Sequence, residues 1–169
     1  MTKLRNLFLI GPMGAGKSAV GRHLARLLHL EFLDSDEDIE TRTGVDIPFI
    51  FEKEGEEGFR KREVKVIDEL SQRDGVVLAT GGGAIVDPES RSRLGARGFV
   101  VYLYTSVKQQ LERTRSGRER PLLENDNREK VLQDMMDERD QLYREISDLI
   151  VETDGRRVQT VAREIQEAL

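Results

Sequence analysis

The chain has 169 residues, 27 Lys and Arg against 32 Asp and Glu, and a net charge of −5. That balance excludes a coat for nucleic acid or for an anionic membrane surface. The absence of cysteine excludes disulfide scaffolds, thiolate-held zinc and thiol nucleophiles.

Taken in chain order, short apolar runs alternate with longer amphipathic stretches. Leu7 to Ile10 reads as a buried strand, and a Gly-rich turn leads from it into a helix over about 17–28. Phe32-Leu33 is a second strand. Residues 35–72 read as mostly helical, broken at Gly44, Pro48 and Gly55. Val76 to Ala79 is a third strand, ending in Gly81-Gly82-Gly83, and a short helix over about 89–94 follows. Phe99 to Leu103 is a fourth strand, with a helix over about 106–115 and a polar stretch to about Asn127. A helix over 128–146, a strand at Leu149 to Val151 and a helix over 158–168 complete the chain. Strands without polar alternation, separated by helices, predict a parallel sheet covered on both faces in an α/β fold. No repeat or linker divides the chain, so residues 1–169 are expected to form one domain. The run from Leu7 to Ile10 is shorter than a signal-peptide core and no run could span a membrane, so a cytoplasmic location is expected.

Gly11-Pro-Met-Gly-Ala-Gly-Lys17-Ser18 fits G-x-x-x-x-G-K-[ST], between a strand and a helix as that motif requires. Glycines let backbone N–H groups turn toward phosphate oxygens, and the helix N-terminus adds partial positive charge. Gly14, Ala15, Gly16, Lys17, Ser18 and Ala19 are therefore candidate nucleotide-binding residues. Lys17 suits the β- and γ-phosphates, and the Ser18 hydroxyl suits Mg²⁺. The chain has neither Asn-Lys-x-Asp nor Asp-x-x-Gly, which counts against a GTP switch. The third strand does not end in the acid that many ATPases use for Mg²⁺, so the acid must come from elsewhere.

Asp34 and Asp36 follow the second strand. Two apart on extended chain, they can face one cleft, Asp34 toward Mg²⁺ through water and Asp36 toward an acceptor hydroxyl. They equally suit the start of a helix. Gly81 to Gly83 reads either as backbone packed against a substrate or as a loose turn. Arg60 and Arg139 each lie among charged residues and, taken singly, read as solvated helix faces. The stretch with Arg113, Arg115, Arg118 and Arg120, broken at Ser116, Gly117 and Pro121, reads as a lid over phosphates or as a charged surface loop. Of 27 basic residues 20 are Arg, from codon bias or from recognition of phosphate and carboxylate by planar cations.

These motifs, with Gly55-Glu-Glu-Gly-Phe-Arg60, Glu63, Leu78-Ala-Thr-Gly81-Gly-Gly83, Arg120-Pro121-Leu122 and Glu138-Arg139 before Leu142-Tyr143, resemble the shikimate kinases along nearly the whole chain. The resemblance implies a P-loop fold of nucleoside-monophosphate-kinase-like type. Its five-stranded parallel sheet would carry a substrate-binding segment at about 34–63 and a lid at about 113–126. It implies ATP-dependent phosphorylation of the shikimate 3-hydroxyl, with Mg²⁺. Carried over by position, Lys17, Asp36 and Arg120 would be catalytic, with Asp36 at the reacting hydroxyls. Arg60 and Arg139 would grip the carboxylate, the backbone at Gly82 and Gly83 would touch the substrate, and Arg113 and Arg156 would flank the adenine. Ser18 and Asp34 would support the metal. Arg157 adjoins Arg156, so that match can slip by one; Ala19 stands where many members have Thr. The partners implied are shikimate and ATP, without nucleic acid or membrane, in a monomer. A kinase for another hydroxylated acid, such as gluconate, shares the P-loop, as does a nucleotide switch without enzymatic activity. The triple glycine with the later Arg-Pro-Leu counts against the first, and the lid arginines against the second.

Overall fold

The structure, a computed structural model, describes residues 6–114 and 127–169. Five strands form one parallel sheet: β1 (Asn6–Ile10), β2 (Glu31–Asp34), β3 (Val76–Ala79), β4 (Phe99–Tyr104) and β5 (Leu149–Glu152), in the order β2-β3-β1-β4-β5. The seven helices described are α1 (Lys17–Leu28), α2 (Ser35–Thr43), α3 (Ile47–Ser71), α4 (Pro88–Arg97), α5 (Val107–Arg113), α6 (Arg128–Ile146) and α7 (Val158–Ala168).

The unbroken apolar character of β1 follows from burial on both faces. Phe8 and Ile10 join one core with Ile67, Leu94 and Tyr143, from α3, α4 and α6. Leu7 and Leu9 join the opposite core with Leu24, Val161 and Ile165, from α1 and α7. Successive side chains point to opposite faces of a strand, so a central strand with helices on both sides must be apolar at every position. The period is still 2, but hydrophobicity cannot show it.

Helix boundaries follow local chemistry. Asp34, Asp46, Asp87 and Ser106 cap α2, α3, α4 and α5, each side chain accepting from an N–H of the first turn. Gly44, at φ 74, ends α2. Pro48 does not break a helix, as the sequence suggested, but lies in the first turn of α3, where no intrahelical N–H is needed. Gly55 does interrupt α3, with φ 73 and ψ 180. Across that kink Arg62 forks onto Glu54 at 2.9 and 2.8 Å. A 3-10 turn at Ala84–Val86, unforeseen in the sequence, follows the triple glycine. Among the described residues no helix is long and apolar enough to cross a membrane.

The register brings the important turns together. Leu9 and Asp34 both stand opposite Ala79, so β1, β2 and β3 end at one level. Thr80 extends the pairing by donating its N–H to the Leu9 carbonyl at 3.1 Å. The loops after these strands therefore open on one edge of the sheet, where parallel α/β sheets bind ligands.

Candidate active site

The loop from Gly11 to Ser18 wraps the N-terminus of α1. Gly16, its cap, sits at φ 88, a left-handed conformation that a side chain would strain. Lys17 Nζ donates to the Gly11 carbonyl at 2.7 Å and the Pro12 carbonyl at 2.8 Å, which holds the ammonium over the loop. Lys17, Ser18 and Ala19 line a cleft of about 360 Å³ with Asp34, Asp36 and Gly82.

Asp34 serves both readings that its sequence left open. Its Oδ1 accepts the Asp36 and Glu37 N–H groups at 2.9 and 3.1 Å, capping α2. Its Oδ2 accepts the Ser18 hydroxyl at 2.5 Å. One carboxylate thus orders a helix start and faces the P-loop hydroxyl. Two hard oxygen ligands beside a phosphate loop fit Mg²⁺, which keeps most of its shell as water and phosphate. The described residues hold no group of three or more His, Cys, Asp or Glu that could bind a metal alone.

The triple glycine lies between the P-loop and a cluster of Asp36, Arg60 and Glu63. Gly81 N–H donates to the buried Ser35 hydroxyl at 3.0 Å. A Cβ at Gly81 would meet Asp36 Oδ1 at 2.6 Å and Glu63 Oε2 at 2.8 Å, and one at Gly82 would come within 3.2 Å of the Met13 nitrogen. At Gly83 it would fall 2.2 Å from Arg60 Nη2, so the guanidinium lies directly on the glycine backbone. This close packing, rather than loose chain, accounts for three glycines in a row.

Arg60 and Arg139 are not solvated helix faces. Arg60 donates to Glu63 Oε1 at 2.8 Å and reaches Glu56 at 3.5 Å. Arg139 is 8% exposed, and its Nε has no hydrogen-bond partner among the described residues. Glu63, 2% exposed, interacts electrostatically with both guanidinium groups. Burial raises its carboxyl above the ordinary 4.5 despite the opposing pull of Arg60 and Arg139. Two guanidinium groups beside this one buried carboxylate offer forked donors that suit a second carboxylate.

On the other flank, Arg113 Nη1 donates to the Gly14 carbonyl at 2.9 Å and the Thr153 hydroxyl at 3.2 Å, and Nη2 to the Thr153 carbonyl at 3.0 Å. It ties the P-loop to the turn after β5. A hollow of about 460 Å³ opens there, lined by Gly16, Arg113, Thr153, Arg156, Arg157 and Val158. Arg156 is held by the Glu152 carbonyl at 2.8 Å and by Glu164 at 2.5 Å, whereas Arg157 is exposed at the start of α7. Arg120 lies outside the described residues, as does most of the segment read as a lid.

Two residues of the site escaped the sequence reading as site residues. Glu63 entered the resemblance as part of a motif but without a role, and its burial has no local signature. Tyr143 lies on α6 one turn beyond Arg139 and donates its hydroxyl to the Gly82 carbonyl at 2.6 Å. An apolar-looking helix position gave no sign of that bond.

The family model for shikimate kinase matches residues 13–169. A shikimate kinase of Halorhodospira halophila is 64% identical over 163 residues, 96% of this chain and 92% of that protein. One of Aliivibrio fischeri is 56% identical over 169 residues, all of this chain and 98% of its own. A solved structure of shikimate kinase from Acinetobacter baumannii in complex with shikimate superposes with a TM-score of 0.97 at 53% identity, covering 98% of this chain and 93% of that one. With the P-loop, the acidic pair and the two arginines at one end of the sheet, the chain belongs to the shikimate kinase family.

Proposed function

We propose that this protein transfers the γ-phosphoryl group of MgATP to the 3-hydroxyl of shikimate, giving shikimate 3-phosphate and ADP on the route to chorismate and the aromatic amino acids. The observation that carries the reading is the convergence of Asp36, Glu63 and Arg60 on the triple glycine, itself packed against the P-loop. An acceptor with one carboxylate and several hydroxyls needs forked cations for the first and carboxylate acceptors for the second. Both stand beside a phosphate loop.

Arg60 and Arg139 bind the acceptor carboxylate, while the Gly82 and Gly83 backbone contacts its ring substituents. Asp36 accepts the hydrogen bond of the reacting hydroxyl and aims its oxygen at the γ-phosphorus. Phosphoryl transition states are loose, so aim and charge stabilisation dominate over proton removal. Lys17 supplies positive charge to the β- and γ-phosphates, and the N–H groups of Gly14, Ala15, Gly16, Lys17, Ser18 and Ala19 cradle them. Arg113 and Arg156 flank the adenine, and Arg120 reaches the transferring phosphate from a lid over about 113–126. Ser18 would hold Mg²⁺ directly and Asp34 through water; the ion, when bound, neutralises phosphate charge. The substrate-binding segment spans about 34–63 of one kinase domain, acting as a cytoplasmic monomer on small molecules, with no nucleic acid or membrane partner.

A coupled assay of ADP release with shikimate, gluconate or no acceptor tests the reading. Release that depends on shikimate and Mg²⁺ is expected. Turnover of gluconate alone, or nucleotide binding without turnover, would replace it with one of the competing readings.

A further inference from the structure

The triple glycine carries two backbone donors that the fold does not use. Neither the Gly82 nor the Gly83 N–H makes a hydrogen bond among the described residues, whereas Gly81 N–H is taken by Ser35 and Ala84 N–H by the Gly81 carbonyl. Gly83 is buried. Gly82 lines the cleft and Gly83 adjoins it. Buried backbone donors are nearly always paired in a finished structure, so an unpaired one beside a cleft calls for a ligand. Three glycines have little intrinsic stiffness, so something else must orient these donors.

Tyr143 meets that need. Its hydroxyl donates to the Gly82 carbonyl at 2.6 Å, and the Arg139 guanidinium also lies against that hydroxyl oxygen. The carbonyl of Gly82 and the N–H of Gly83 belong to one peptide, which is trans. In a trans peptide these groups point in opposite directions, so fixing one fixes the other. Tyr143 is itself rigid. It is 1% exposed, and its ring stacks on Tyr102 at 4.8 Å. Tyr102 is fully buried and donates its hydroxyl to Asp140 at 2.7 Å. Burial also raises the Tyr143 phenol well above its ordinary value, so it remains a donor at any working pH. The other side of Gly83 is covered by the Arg60 guanidinium.

We propose that Tyr143 is a positioning residue for the acceptor: through the Gly82 carbonyl it sets the plane of the Gly82–Gly83 peptide and aims the Gly83 N–H at the bound shikimate. α6 thereby acts on the substrate twice, directly through Arg139 and, one turn later, through Tyr143. The inference rests on the proposed reading that this segment holds shikimate.

Tyr143→Phe removes the hydroxyl and keeps the stacked ring. Its KM and Kd for shikimate should rise roughly three- to tenfold, the scale of one lost hydrogen bond, while the KM for ATP stays within twofold. Tyr102→Phe, which loses a buried hydroxyl of equal size that does not touch the glycines, should leave both constants within twofold. In protein labelled with ¹⁵N-glycine, the Gly83 amide resonance should move when shikimate is added to the wild type, and by less in Tyr143→Phe. An unchanged shikimate KM in Tyr143→Phe overturns the proposal, as do equal rises in both KM values or an equal shikimate effect in Tyr102→Phe. A Gly83 resonance in wild-type protein that ignores shikimate overturns it without any variant. Failure of the wild type to phosphorylate shikimate would instead overturn the functional reading beneath it.

Discussion

At the end of the cleft proposed for phosphate, one stretch of chain from Gly11 to Ser18 supplies the glycine turn, the ammonium and the hydroxyl. At the end proposed for the acceptor, Asp36 comes from α2, Arg60 and Glu63 from α3, the glycines from the end of β3 and Arg139 from α6. The first region is a local structure whose backbone geometry follows from its own residues. The second exists only after the sheet has aligned its strand ends and α6 has packed against the same core as α3. A phosphate group can be recognised by backbone N–H groups, which any sequence with enough glycine can present. A carboxylate with neighbouring hydroxyls needs side chains of both charges, and a compact site gathers those only from several elements.

The two ends should therefore fail differently. Lys17→Ala strikes the developing charge itself and should reduce kcat by about 10³ or more, with shikimate binding changed little. Rapid-quench or steady-state kinetics measure it; a loss below tenfold would mean that the phosphate end does not work as described. Asp36→Asn should come next, lowering kcat by about 10²–10³. Turnover near that of the wild type would remove Asp36 from the reaction.

Arg60→Ala and Arg139→Ala should leave the phosphate end intact. Each removes a charge-assisted contact, worth about 10- to 100-fold in the KM for shikimate, while the KM for ATP holds within about twofold. The distinction between the ends would collapse if either variant weakened ATP to the same degree. Arg60→Ala also removes the hydrogen bond to Glu63, and Arg139→Ala removes a charge that faces Glu63 and Tyr143.

Glu63 makes the end of the cleft beside Arg60 and Arg139 pH-sensitive. Burial raises its carboxyl above the ordinary 4.5, so the native state holds that proton more tightly than the unfolded chain does. Its contribution to stability is complete below the unfolded value and is lost as pH rises through the raised native one. Glu63→Gln stays neutral throughout. The stability of the variant relative to wild type, followed by urea denaturation from pH 4 to 8, should therefore rise with pH, whatever its value at pH 4. A flat or falling difference would show that the Arg60 and Arg139 charges outweigh desolvation.

How much of this was legible in the sequence follows the same division. The P-loop, the five strands and most helix ends are written locally, in apolar runs, caps and glycines. The acidic pair was legible as a pair, but not the division of labour at Asp34, where one oxygen caps α2 and the other meets Ser18. Nor could the residues announce that Arg60 and Arg139 converge. Each lies in a run of charges that suits a wet surface, and only the family resemblance joined them. Pro48 misled for a related reason: proline breaks a helix interior but suits a first turn, and the two differ only in where the helix starts. Tyr143 stood in the Leu142-Tyr143 motif without a role, because its partner is a backbone carbonyl that any residue would carry.

The smallest expected effect lies at the adenine side, where the two ends cease to be the relevant contrast. Arg156 is already engaged with the Glu152 carbonyl and with Glu164, and its side chain is 30% exposed. A cation so placed gains little from one more partner in a high-dielectric setting. Arg156→Ala should raise the KM for ATP by about two- to threefold, with shikimate unaffected. Arg157 lines the same hollow from the start of α7. If Arg157→Ala raises the KM for ATP more than Arg156→Ala does, the adenine contact belongs one residue later. The geometry supplies a reason for that result: an arginine already paired with Glu164 must leave it to stack on a base, while its exposed neighbour need not.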